Sequence, residues 1–559
     1  MRYRPPSILS HLTALQAEHG WLSQDSLVHL AVQIGVPLHR IEGVASFYPH
    51  FRRSPPPRHR VELCRDMSCA MAGGPAAMRA AAEDHAARTG ERVEVVEVSC
   101  LGRCDRAPAA QVHHTTVQGA DSLAACLRGE PVPEDMSPRT YRIDPYATPG
   151  ERYRAARALA AGGPALAERA IAELKAAGLR GMGGAGFPTA IKWSTVRATA
   201  GAEKFMVCNA DESEPGTFKD REIKASLPHL VWEGMLIAAQ VVGATRAILF
   251  IRHEYEQERR AMAAELAVAV VVGRALGVEL EIFVSPGGYI MGEETALLEA
   301  LEDRRGEPRN KPPFPGVAGL FGLPTLINNV ETLAMVTAIL ARGLLAPGGT
   351  AADPATANLG AQWWLAQGVR GCHGLKFISI SGDVAKPGVY EIATGTTIAE
   401  LIALAGGVPG GRPIAALLPG GASSAFLPGS AVDTPLDFEA LRAAGSTLGS
   451  GAVIVVADGH DLLALGLNLT RFFRNESCGK CVPCRVGAQK AVELLEQVLA
   501  GQASAQVPEL LRALDRTMAQ TSICGLGQVA LTPAISLIDR LPAALAAHPP
   551  RRPSLRDRA

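Results

Sequence analysis

The sequence predicts a multidomain α/β chain. It reads as a helical prefix, a small α/β domain of thioredoxin-like size, a larger α/β domain, a compact β-rich insert and a helical C-terminal region. Three observations predict it. At 559 residues the chain is too long for one hydrophobic core. Strand-like and helical segments alternate through 58–128 and again through 150–345, the pattern of a sheet covered by helices. Eight of the eleven cysteines stand in two quartets, Cys64, Cys69, Cys100 and Cys104 near one end and Cys478, Cys481, Cys484 and Cys524 near the other, which suggests two metal centres.

Bulk properties narrow the function. Hydrophobic residues make up 47% and charged residues 20%, ordinary values for a soluble globular protein. A formal net charge of zero gives no reason to expect nucleic acid or an anionic membrane as partner. MRYRPPSILSHL lacks the apolar core of a secretory signal. The apolar stretch 263–284 is broken by Arg274 and Glu279, short of the ~18 residues a span needs. A cytoplasmic address is therefore expected, where clustered cysteines bind metal more often than they form disulfides.

In chain order, Ile8, Leu9, Leu12 and Leu15 keep helical spacing, Gly20 stops the run, Ser23 can cap a second helix, and a third follows Pro37. This prefix (1–55) reads as a small bundle packed on its neighbour; no basic face supports a DNA-reading helix-turn-helix. Strands at 59–64, 93–98 and 110–114 and a helix at 75–87 make the domain 56–130. A Pro-rich link, roughly 129–150, precedes the middle domain, 140–360. There strands 205–209, 247–252 and 280–284 alternate with helices 229–243, 255–276 and 293–301. A Gly/Ala/Pro-rich segment near 346–360 leads to the β-rich insert, 370–458. Residues 459–546 are helical by pattern, and the tail 547–559 reads as disordered.

The two quartets divide differently. SCGKCVPCR lets one turn present Cys478, Cys481 and Cys484 to three corners of a cubane, with Cys524 as the fourth ligand. That three-plus-one division favours [4Fe–4S] over zinc, which usually takes two separated pairs. Cys64/Cys69 and Cys100/Cys104 form two pairs with wider spacing than common zinc knuckles, which suits [2Fe–2S]. A redox disulfide is the weaker alternative, since no Cys-x-x-Cys occurs there.

Between the quartets, GLRGMGGAGFPTAIKW (178–193) puts Gly181, Gly183, Gly184 and Gly186 before a predicted helix, with Lys192 adding positive charge. Glycines let backbone N–H groups approach a phosphate, although the spacing is neither that of a Rossmann turn nor of a P-loop, and a simple turn reads equally well. CNADESEPGTFKDRE (208–222) places Asp211, Glu212 and Glu214 after a strand, and GGYIMGEETALLEAL (287–301) places Glu293 and Glu294 at a helix start. Such carboxylates can bind ribose or a flavin ring, or simply cap the helix.

Taken together, these segments resemble the NADH-oxidising module of respiratory complex I over nearly the whole chain. Residues 1–130 resemble its thioredoxin-like [2Fe–2S] subunit, including EGVASFYPHF. Residues 150–545 resemble its flavin-bearing subunit through GGAGFPT, CNADESEPGTFKDRE, GEETAL, KPPFP, LINNVETL, SCGKCVPCR and SICGLG. The resemblance implies a Rossmann-like FMN/NADH domain and a β-grasp (SLBB) insert. It implies FMN held by the glycine loop, Asn209, Asp211, Glu212, Gly292 to Glu294, Asn328 and Asn329. It implies NAD(H) meeting Phe187, Glu214, Tyr289, Glu294, Lys311 and Phe314. Met182 stands where complex I has Arg, and Met291 where a cysteine is common.

Fusion of the two subunits is similar to the β subunits of soluble NAD-dependent formate dehydrogenases and to diaphorase subunits of NAD-reducing hydrogenases. The intact N-terminal quartet, CRDMSCAM and DTPLDFEAL look most like the former. The expected activity is a diaphorase that passes electrons between a formate-oxidising molybdenum or tungsten subunit and NAD⁺, with Glu294 and Glu214 as positioning and electrostatic residues. A hydrogenase partner or a complex I module is the alternative. A zinc-stabilised scaffold or redox sensor is the reading from another class. Cys126, Cys208 and Cys372 need no special role.

Overall fold

The computed structural model describes residues 7–132, 138–201, 203–343 and 358–548. The tail expected to be disordered (547–559) lies, from 549 on, outside the described residues, as do most of the Gly/Ala/Pro-rich boundary and the middle of the Pro-rich link.

The prefix forms helices Ile8–His19, Gln24–Ile34 and Leu38–Ala45. Ser7 and Ser23 accept the N–H groups of Ser10 and Ser26, and Gly20 and Gly35 end the first two helices at φ 76° and 65°. Gly20 and Ser23 thus act as their residue types dictate. The bundle docks on the middle domain: Leu9 N–H donates to Asp303 Oδ1 at 3.1 Å, and Tyr48 Oη to the Arg304 carbonyl at 2.7 Å.

The small domain holds β1 (His59–Cys64), β2 (Val93–Val98), β3 (Ala109–Val112) and β4 (Thr115–Gln118), ordered β2-β1-β3-β4. β1 and β2 are parallel; the other pairs are antiparallel. The strand expected at 110–114 ends at Val112, because His113 and His114 turn the chain at φ 47° and 70° into β4. Thr115, Thr116 and Val117 are β-branched, but the run is only four residues long, and it is pairing with β3 that makes it a strand.

In the middle domain β5 (Phe205–Ala210), β6 (Arg246–Arg252), β7 (Glu279–Ser285) and β8 (Thr325–Asn329) form a wholly parallel sheet ordered β7-β6-β5-β8. Their carboxyl ends therefore line one edge, where open α/β sheets bind ligands. Helices Pro228–Val242 and Val330–Arg342 pack together behind the sheet; both are apolar on nearly every face and almost wholly buried.

The insert contains β9 (Leu375–Gly382), β10 (Gly388–Ala393), β11 (Ile414–Leu418), β12 (Leu427–Pro428) and β13 (Ala452–Ala457), ordered β10-β9-β13-β11-β12. β9 pairs in parallel with β13, and Thr397 and Glu400 form a capping box on helix Ile398–Leu404. Helices Leu462–Asn475, Val482–Leu499, Val507–Thr521 and Thr532–Arg540 complete the C-terminal region. Among the described residues no single helix is long and apolar enough to cross a membrane.

A buried ion network joins the middle domain to the insert. Glu331 Oε2 takes Lys219 Nζ at 2.9 Å and Lys376 Nζ at 2.6 Å, while Oε1 accepts the Phe377 N–H at 2.8 Å. All three charged side chains are at most 1% exposed. Burial pulls Lys376 down to about 8 even though Glu331 opposes the shift. Removing one member of a buried pair strands the others, at a cost of about 3–5 kcal/mol. Glu331→Gln is accordingly expected to lower the urea midpoint for loss of tertiary structure, measured by near-ultraviolet circular dichroism, with Lys376→Met acting in the same direction.

Candidate flavin, nicotinamide and iron–sulfur site

The N-terminal quartet converges where β1 and β2 end. Cys64 closes β1, Cys69 lies in helix Met67–Met71, Cys100 follows β2 and Cys104 opens a 3-10 turn. All four are buried, with Cys100 and Cys104 sulfurs 3.4 Å apart and Cys64 within hydrogen-bonding reach of Cys69 and Cys100. Four convergent thiols in this setting suit a [2Fe–2S] centre. Middle-domain groups reach the same loop. Gly216 N–H donates to Cys104 Sγ at 3.3 Å, and Arg252 donates to the Cys100 carbonyl at 2.8 Å. Arg221 grips Asp105 at 2.6 Å and Arg103 grips Glu258 at 2.7 Å. Gly102 has no room for a Cβ, which would collide with the Tyr255 hydroxyl.

Cys478, Cys481, Cys484 and Cys524 line one cavity, closed by Ile290, Pro308, Ile523 and Leu526. Ser477 Oγ lies 3.2 Å from Cys484 Sγ. Burial pushes the thiols of Cys484 and Cys524 up to about 11, so a cationic cluster is what would hold them as thiolates at neutral pH.

Between the quartets the glycine loop runs into helix Thr189–Ala198. A Cβ on Gly183 would lie 2.9 Å from Asn329 Cβ, and Gly184 and Gly186 adopt φ 120° and 61°. Met182, at the position where Arg was expected by resemblance, is 5% exposed and packs in the core; its N–H donates to Thr332 Oγ1 at 2.9 Å. Its side chain therefore takes no place in the cradle. Asn209 Nδ2 donates to the Gly292 carbonyl at 2.8 Å, joining the ends of two motif segments. Asn329 Oδ1 caps helix Val330–Arg342 and its Nδ2 donates to Asp220 Oδ2 at 2.6 Å, while Asn328 Oδ1 accepts Trp193 Nε1 at 2.8 Å.

The carboxylates divide by what they touch. Glu212 accepts the N–H groups of Asp220 and Arg221 at 2.8 and 3.0 Å and the Tyr255 hydroxyl at 3.2 Å, so both its oxygens shape the loop. Asp211 Oδ1 accepts Ser213 Oγ at 2.5 Å, whereas buried Oδ2 has no hydrogen-bond partner. Burial raises the Asp211 carboxyl, with Arg252 opposing. A buried acceptor of this kind, with Ser285 as its polar neighbour, and the Cβ-free approach at Gly183 suit the polar ring and phosphate that FMN would supply. Glu214 reaches the insert, accepting the Ser423 N–H at 2.8 Å and Ser450 Oγ at 3.3 Å, and burial raises its carboxyl.

Glu293 caps its helix through the Thr295 and Ala296 N–H groups and also holds Lys311 Nζ at 2.9 Å. Glu294 lies 3.2 Å from both Lys192 and Lys311. Burial works to raise Glu294, but the two lysines prevail and hold it below the usual carboxylate range. Capping and site assembly thus coexist in this pair. Phe187 and Phe314 are 52% and 59% exposed, at the starts of helices Thr189–Ala198 and Pro315–Ala318, which pack on each other. Tyr289 packs on Phe472 and Phe473 at centroid distances of 5.0 and 6.0 Å.

Sequence reasoning missed three groups. Arg252 ends β6 at the ligand edge, a position that could have marked it. Glu476 accepts Ser99 Oγ beside Cys100 and the Tyr289 N–H at 2.7 Å, linking the two quartets through the Tyr289 turn; no local pattern signals it. Ser450 arrives from the insert and is equally silent in sequence.

Comparison with known proteins agrees with this assembly. The Nuo51 FMN-binding domain matches residues 174–338, the thioredoxin-like [2Fe–2S] ferredoxin 2–125, the NADH-ubiquinone oxidoreductase-F iron-sulfur binding region 464–548 and the SLBB domain 377–423. These domains define an NADH-binding flavin and iron–sulfur electron-transfer subunit, carrying FMN, one [2Fe–2S] and one [4Fe–4S] cluster. The chain is 40% identical over 410 residues to the second of two NADH-quinone oxidoreductase F subunits of Rhizobium meliloti, covering 72% of this chain and 91% of the relative. It is 38% identical to the corresponding F subunit of Mycobacterium bovis over 69% of this chain and 86% of the relative. A chain of an NAD⁺-reducing [NiFe]-hydrogenase in its air-oxidised state superposes with TM-score 0.82 at 32% identity, covering 99% of this chain and 96% of that one. The protein belongs to the family of the NADH-quinone oxidoreductase F subunits.

Gly183→Ala drives a methyl group against Asn329. It is expected to weaken FMN retention at least ~10-fold, read as flavin fluorescence in the filtrate after dilution, with iron content unchanged.

Proposed function

We propose that the chain is the NAD(H)-handling diaphorase subunit of a larger oxidoreductase whose partner oxidises formate at a molybdenum or tungsten centre. The diaphorase reading is carried by one observation: both cysteine quartets are tied to the loops around the glycine cradle. Gly216 reaches Cys104, and Glu476, two residues before Cys478, holds both Ser99 and Tyr289. The glycine loop and Asp211 would hold FMN, which would supply the coupling between the electron pair of NAD(H) and the single electrons of the clusters.

This chain's residues supply position and charge. Gly181, Gly183 and Gly184 open the backbone for close approach, and Asp211 offers its free oxygen to the ring. Phe187, Tyr289 and Phe314 offer faces to the nicotinamide nucleotide. Lys192 and Lys311 favour its phosphates and keep Glu294 ionised. Glu214, held by Ser423 and Ser450, carries the insert's contact into the site. Hydride transfer needs no protein acid or base, so alignment is the main contribution. Formate is favoured as the partner's substrate by the intact N-terminal quartet and by CRDMSCAM and DTPLDFEAL. A hydrogenase partner is the second reading, favoured by the full-length likeness to the hydrogenase chain.

Purified chain is expected to hold one FMN and about six irons and to reduce an artificial acceptor with NADH. Colourless, zinc-containing protein overturns the proposal. Metal analysis of the native complex separates the partners: molybdenum or tungsten supports formate oxidation, nickel the hydrogenase. Lys311→Met removes one of the two cations facing Glu294. The acid limb of kcat/KM for NADH is then expected to move to higher pH, with Lys311→Arg restoring it.

A further inference from the structure

A separate group of metal-type ligands lies on the small domain, at the end of β1 remote from Cys64. His59, His85 and Glu91 bring one ring nitrogen each and one carboxylate oxygen within 4.8 Å of one another. We propose that they form a divalent transition-metal site, taking Zn²⁺ through His59 Nε2, His85 Nε2 and Glu91 Oε2.

The three ligands come from segments already fixed by the backbone. His59 opens β1, and its N–H donates to the Arg92 carbonyl at 3.2 Å. His85 sits near the end of helix Ala76–Thr89, where Thr89 Oγ1 donates to its carbonyl at 2.8 Å. Gly90, at φ 71°, reverses the chain and returns Glu91 beside β1, and Thr89 Oγ1 also accepts the Glu91 N–H at 3.2 Å. Little conformational freedom remains for a metal to remove.

Distances suit the ion. Glu91 Oε2 lies 3.0 Å from His59 Nε2 and 3.2 Å from His85 Nε2. Tetrahedral zinc with ligands at ~2.0–2.1 Å has ligand-to-ligand edges of about 3.3 Å, so small side-chain rotations admit it. Arg58 Nε holds the other oxygen, Oε1, at 3.1 Å; this opposes a cation by charge but leaves Oε2 aimed between the imidazoles. His113 Nε2 lies 3.4 Å from His59 Nδ1, the outer partner that fixes a ligand histidine's tautomer. The His85 side chain is 4% exposed and that of Glu91 31%, so one side stays open to a water as fourth ligand.

Zinc is redox-inert, so it can sit in an electron-transfer subunit without taking electrons. It would clip the helix end to the start of β1, stiffening the strand whose far end carries Cys64, about 17 Å away.

The test uses the holoprotein with zinc sulfate as probe, bound metal being counted after dialysis. One zinc per chain is expected, with iron unchanged and a zinc-edge X-ray absorption spectrum showing only nitrogen and oxygen at ~2.0 Å. Glu91→Gln and His85→Ala are each expected to weaken binding by about 100-fold, and His113→Ala by about 10-fold, with the [2Fe–2S] electron paramagnetic resonance signal retained. Should His85→Ala lose that signal through misfolding, Glu91→Gln and His113→Ala decide. Sulfur scattering at ~2.3 Å, unchanged affinity in those two variants, or no zinc bound at tenfold excess each overturns the proposal.

Discussion

The carboxylate of Glu331 is the point on which the assembly turns. It sits in the first turn of helix Val330–Arg342, immediately after the Asn328–Asn329 pair, and is fully buried. From there it pairs with Lys219, which it shares with Asp220, the partner of Asn329, and with Lys376, the second residue of the insert's first strand. A single buried charge thus sets the loop after β5, the end of β8 and the seat of the insert. Desolvated charges tolerate little displacement, since each partner lost leaves another uncompensated. The glycine cradle depends on that rigidity, because Gly183 faces Asn329 at a distance no Cβ could share.

Arginines do the corresponding work toward the two-iron loop. Arg252 and Arg103 lie against Tyr255 and Arg221 against Phe218, and each grips a carboxylate or a carbonyl across the seam between the small and middle domains. The planar forks of Arg221 and Arg103 each take both oxygens of one carboxylate, a bidentate geometry that a lysine ammonium does not match. The N-terminal quartet is consequently held against the flavin-side loops instead of hanging from a linker.

Much of this was legible in sequence. The alternation in the middle domain located β5, β6 and β7 to within a residue or two, because β5 and β6, buried along nearly their whole length, read as short apolar runs, while the edge strand β7 alternates polar and apolar residues before its apolar end. The stop at Gly20 and the cap at Ser23 followed from residue type alone. β4, β11 and β12 were not legible, since short strands owe their state to a partner's hydrogen bonds more than to their own pattern. In the site, the motif residues stood out as types, but their division of labour did not. Glu212 spends both oxygens on its own loop and Glu293 divides its two between a helix cap and Lys311, while Asp211 keeps one free.

The sequence by itself determined which chemistry the chain carries. Cysteine number and spacing divide the quartets into a two-plus-two and a three-plus-one set, and glycine and carboxylate motifs mark the cradle, because these depend on local chain geometry. Only the tertiary structure decided how the parts address one another. Met182 turned out to belong to the core, Glu476 to bridge toward both quartets, and Ser450 to reach Glu214 from the insert. Those contacts join residues far apart in the chain, and no local propensity encodes them. They arise from the packing of domains around shared buried charges.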